Sequence, residues 1–116
     1  MRQREDTVLL RDMLDYARRV SSAVDNRTRS DLDADPILVG ALERFVEVIG
    51  EAAGRLTSAT RESEPEIPWP EIIAMRNRLV HGYFSVDLDI LWTVVTDDIP
   101  HLVDRLEQMV AGEPGS

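Results

Sequence analysis

Apolar residues recur along this chain at three- and four-residue intervals, the period of a helix that buries one face. The first such stripe is Leu9, Met13, Tyr16, Ala17, Val20 and Val24, predicting a helix over about 5–24. Residues 26–34 (NRTRSDLDA) are polar and read as a loop. Asp35-Pro36 supplies an N-cap and a first-turn proline, opening a second helix expected to reach about Ala59. Its stripe is Leu38, Leu42, Phe45, Ile49, Ala52 and Leu56, widened by Ala41 and Val48. The charged, proline-bearing stretch 61–69 is read as a loop, and Pro70 as the first turn of a third helix to about Val80, ended by Gly82. Asp87 caps a fourth helix over Leu88–Ile99, with a kink at Pro100 and continuation to Val110. No strand alternation or internal repeat stands out. The prediction is an all-α, antiparallel bundle of four to five helices, one domain over 1–111 with a disordered tail at 112–116.

Three glycines, Gly40, Gly50 and Gly54, interrupt the second helix, where each costs about 0.5–1 kcal/mol relative to alanine. Gly50 and Gly54 share a helical spacing with Glu43 and Glu47. They are either tolerated on an exposed face or kept small for a helix or subunit contact.

Composition narrows the chemistry. The 116 residues contain no cysteine, which removes disulfides, thiolate metal sites and a cysteine nucleophile, and fits a reducing cytoplasm. Residues 1–7 are charged and lack the apolar core of a signal peptide, and no apolar run approaches the roughly 20 residues of a membrane span. A cytoplasmic location is expected. With 13 basic and 22 acidic residues the net charge is −9, and every basic residue is arginine. This argues against broad nucleic-acid binding through many phosphate contacts, so an RNA ligand would have to meet a local arginine cluster.

On the third helix Arg76 falls on the apolar stripe of Trp69, Ile72, Ile73, Leu79, Val80 and Tyr83. A guanidinium there must snorkel out, pair with an acid such as Glu47 or Glu51, or line a cleft. His81 follows five residues later, well apart around the axis of a continuous helix but able to lean back if it lies in the last turn. Alone, it reads equally as a cap at a helix C-terminus. His101 reads as a solvated or capping residue, and the Glu43, Glu47 and Glu51 row as a solvated or arginine-paired face. The two histidines have no metal-ligand spacing, so no metal or other cofactor is expected.

The stretch 69–84 (WPEIIAMRNRLVHGYF) resembles the signature of the HepT-like branch of HEPN proteins: Arg, four residues, His, any residue, Tyr, with Asn directly after the Arg. Arg76, Asn77, His81 and Tyr83 fill those positions. Residues 44–53 (RFVEVIGEAA) are similar to the family's preceding helix, and the likeness covers roughly 7–110. The resemblance implies a HEPN-like bundle that forms a homodimer and cuts RNA without a metal. It implies the toxin of a type VII-like toxin–antitoxin pair, partnered by a minimal nucleotidyltransferase antitoxin. Arg76 and His81 are then the catalytic residues, Asn77 supports them, and Tyr83 accepts the AMP that silences the toxin. A non-catalytic binding partner of the nucleotidyltransferase is the alternative, favoured by the acidic charge.

Overall fold

The computed structural model describes residues 4–81 and 87–112, apart from the side chains of residues 79–81. Among the described residues there are helices and turns and no strand, so the chain is an all-α bundle. The elements are α1 (Arg4–Val24), α2 (Arg29–Ala34), α3 (Pro36–Arg55), α4 (Ser58–Glu62), α5 (Trp69–His81), α6 (Leu88–Thr93), a π-helical segment (Val94–Asp98) and α7 (Ile99–Ala111). No described helix is long and apolar enough to cross a membrane.

The predicted stripes form the core. Leu9, Met13, Ala17 and Val20 of α1 pack with Leu38, Leu42, Ile49 and Ala52 of α3, and Leu102, Leu106 and Met109 of α7 close over them. Tyr16 and Phe45 meet at the edge, with ring centroids 5.8 Å apart and the planes tilted by 58°. α1 and α3 are antiparallel: the end of α3 returns to the start of α1, where Arg55 pairs with Glu5 at 3.4 Å.

The buried carboxylate of Asp6 makes this junction specific. It accepts the Thr57 amide at 3.1 Å and the hydroxyls of Thr57 and Thr60 at 2.6 Å each. Three donors in a site 1% exposed answer the cost of burying the acid.

Three expected boundaries are corrected. The polar stretch 26–34 is not all loop, because α2 occupies Arg29–Ala34. The Thr28 amide donates to the Asp31 carboxylate at 2.7 Å, half of a capping box, and Leu32 is buried beneath. Asn26 makes the preceding turn with φ 60°, a conformation asparagine tolerates. The second predicted helix stops at Arg55 rather than Ala59. Leu56 is extended, and Thr57 caps the separate α4 by accepting from the Thr60 amide at 3.4 Å. Residues 61 and 62, expected in a loop, belong to α4.

The irregularity foreseen at Pro100 lies one turn earlier, in the π-helical segment. Proline lacks an amide hydrogen and its ring crowds the carbonyl four residues back, so the wider turn ahead of it removes a conflict. Buried Leu91, Val95 and Ile99 are spaced by fours, and the wider turn keeps them on one line. The cap at Asp87 is as expected, with its carboxylate accepting the amides of Asp89 at 2.9 Å and Ile90 at 3.2 Å. Of the expected tail, Gly112 ends α7 and residues 113–116 lie outside the described residues.

Candidate active site

α5 carries the candidate residues Arg76, Asn77 and His81 and is fixed at its start by Trp69. The buried indole donates to the carbonyls of Arg61 at 3.0 Å and Glu64 at 3.1 Å, tying the helix to the end of α4. Ile72 and Ile73 are half-buried against the core. α5 runs unbroken through His81, so Arg76 and His81 share one helix. The His81 side chain and the whole of Tyr83 lie outside the described residues.

Arg76 is half-buried and lies against α3, where its Cβ meets the open side of Gly50. Its Nε is shielded from solvent with no hydrogen-bond partner among the described residues, and its Nη1 donates to the Asn77 side-chain oxygen at 3.2 Å. Neither expected acid takes it: Glu47 pairs with Arg44 at 3.2 Å, and Glu51 is exposed. Among the described residues Arg76 has no carboxylate partner. Asn77 is exposed, and the hydrogen bond its side-chain oxygen accepts is to the guanidinium.

The two neighbouring glycines diverge. Gly50 is buried in the α3–α5 contact, whereas Gly54 and Gly40 have nothing within 4 Å of an added Cβ. Sequence reasoning placed Gly50 and Gly54 together because both sit on the same helical repeat. Only the position of α5 distinguishes them.

The opposite flank of α5 borders a groove of about 520 Å³ toward the π segment and α7. Val46, Ile49, Ile72, Met75, Val94 and Leu102 line its floor. Exposed Arg78 stands on the rim with Asp98, His101 and Arg105. Burial raises the Asp98 carboxyl above its ordinary range, Asp97 adds to this, and His101 partly opposes it. Arg105 is already committed, binding Glu64 at 2.6 Å and Glu66 at 3.2 Å. No pattern in the sequence announced the groove. His101 is exposed, as expected of a solvated residue. Among the described residues, no group of three or more His, Asp or Glu side chains is placed to hold a metal ion.

The chain is thus an all-α bundle in which Arg76, without a carboxylate partner among the described residues, shares one helix with His81. The HepT-like ribonuclease family model, "Ribonuclease HepT-like", matches residues 13–109, and the chain belongs to that family. It is 37% identical over 83 residues to a Caldanaerobacter subterraneus protein named "Putative RNase", covering 72% of this chain and 74% of the relative. It is 42% identical over 69 residues to "Probable ribonuclease HepT" of Thermococcus cleftensis, covering 60% and 63%. A third relative, a "Putative RNase" of Methanocaldococcus jannaschii, is 31% identical over 107 residues, covering 92% and 98%. No solved structure matches the chain.

Proposed function

We propose that this protein is a metal-independent endoribonuclease and the toxin of a toxin–antitoxin pair, with Arg76 and His81 as its catalytic residues. The observation that carries this reading is the state of Arg76. A guanidinium docked between helices, steadied by Asn77 and left without a carboxylate, is prepared for an anion from outside. Family membership makes RNA the anion of choice.

In the proposed reaction the ribose 2′-hydroxyl attacks the adjacent phosphorus. A neutral His81 imidazole takes the hydroxyl proton, a task suited to a group whose ordinary pKa is about 6.5. Arg76 stabilises the charge that gathers on the non-bridging oxygens. The bond to the 5′-oxygen breaks, and a second proton donor supplies that leaving group. The products are a 2′,3′-cyclic phosphate and a free 5′-hydroxyl. In a homodimer with two-fold symmetry the second His81 is the donor. A nucleotidyltransferase partner that adds AMP to Tyr83 would add a bulky anion where RNA phosphate has to sit and exclude RNA by charge and volume. The protein is assigned to the cytoplasm with that partner.

The net charge of −9 favours a second reading, in which the chain binds the nucleotidyltransferase without cutting RNA. Induced expression of wild type beside His81→Ala separates the two. The ribonuclease arrests growth and fragments cellular RNA, His81→Ala does neither while staying folded, and cleavage by the purified protein persists in EDTA. If wild type leaves RNA intact, the binding reading stands. Cleavage abolished by EDTA removes metal independence.

A further inference from the structure

The geometry points to Gly50 as a positioning residue for Arg76, an inference that rests on the ribonuclease reading of the same site. A Cβ built on Gly50 collides with the Arg76 Cβ, and stands 2.9 Å from its Cγ and 3.0 Å from the Ile72 carbonyl oxygen. Those atoms are the stem of the side chain and the backbone of α5, which cannot yield as a flexible tip would. The two helices are therefore in direct contact at the turn that presents Arg76, with no room between them for a methyl. The missing side chain on α3 seats the Arg76 stem, which leaves Nε shielded and without a partner among the described residues. Asn77 holds only the far end. Together these contacts fix where the guanidinium emerges. Gly40 and Gly54, on the same helix, have no neighbour within 4 Å, so the need for glycine is local to Arg76.

A methyl at position 50 must push α5 outward or swing the Arg76 stem aside. Either movement displaces donors whose value depends on alignment with the transition state, and displacements near 1 Å cost on the order of tenfold to a hundredfold in rate. Gly50→Ala is therefore expected to lower kcat by about tenfold or more while KM changes by less than about threefold. Gly54→Ala should leave both unchanged.

The assay uses a mixed-sequence single-stranded RNA carrying a fluorophore and quencher, with folding followed by circular dichroism. In an Arg76→Gly background, which also removes the Cβ that a methyl at position 50 would strike, Gly50→Ala should cost no further activity, because its effect passes through the Arg76 stem. A further loss equal to that in wild type overturns the proposal, as does full activity of Gly50→Ala alone. Nitrogen-15 relaxation of the arginine Nε–Hε groups gives a reading independent of activity. In wild type the Arg76 Nε–Hε should be as rigid as the α5 backbone; mobility like that of exposed Arg18 overturns the proposal even if Gly50→Ala fails to fold. A wild type that cuts no RNA defeats the ribonuclease reading instead, while relaxation still decides whether Gly50 holds Arg76.

Discussion

Asp6→Ala removes an acceptor that joins the first turn of α1 to the start of α4. Among the described residues three donors lose this partner: the Thr57 amide and two threonine hydroxyls. Hydrogen bonds to a charged acceptor are worth about 1.5–3 kcal/mol each when one side is deleted. The sum is reduced because the buried charge also disappears, because Thr57 is partly exposed, and because the Thr57 and Thr60 hydroxyls already lie 3.3 Å apart and can turn to each other. Thr60, only 3% exposed, gains no water. The net expectation is a loss of about 2–4 kcal/mol. At about 4 °C per kcal/mol for a chain of this length, the melting temperature falls by about 8–16 °C. Thermal scans by circular dichroism, with urea titrations at one fixed protein concentration, measure it. Asp6→Asn keeps the shape and one acceptor and should lose less. A melting temperature for Asp6→Ala within about 2 °C of wild type would refute the account of this junction.

Two further outcomes follow from charge. Burial raises the Glu43 carboxyl above its ordinary pKa, so the folded state holds its proton more tightly than the unfolded chain does. That contribution is complete below the ordinary value and is lost as pH rises through the folded one. Relative to wild type, Glu43→Gln should therefore melt higher at neutral pH than at pH about 3, and a difference independent of pH contradicts this. Arg105→Ala breaks contacts to Glu64 and Glu66 from a side chain 33% exposed. It should lower the melting temperature at low ionic strength and lower it less in about 1 M salt, and a loss independent of salt would mean that packing by the arginine stem dominates.

The four long helices were legible because their stripes are long and regular, and Pro36, Pro70 and Asp87 mark real helix starts. The short ones were not. α2 has one buried anchor, Leu32, and α4 is announced by Thr57 only after Leu56 has turned extended. A stripe cannot register a break that occurs on its own last member. At the site, resemblance named Arg76, Asn77, His81 and Tyr83, while periodicity alone marked Arg76 as out of place. Which acid would neutralise it depended on how α3 and α5 lie against each other, a long-range relation that spacing does not encode. The described structure answers for Arg76 and Asn77, and shows that Gly50, rather than an acid, stands against the arginine.

The π-helical segment gives the bundle one surplus residue. A π turn holds one residue more than an α turn, so removing one residue between Val94 and Asp98 lets the turn close as ordinary α-helix without changing the direction in which α7 leaves it. Leu102, Leu106 and Met109 would still face the core beside Leu91 and Val95. The same deletion inside α7 has no wider turn to absorb it and swings every later side chain by about 100°. The segment is therefore a place where chain length can change by one without loss of register.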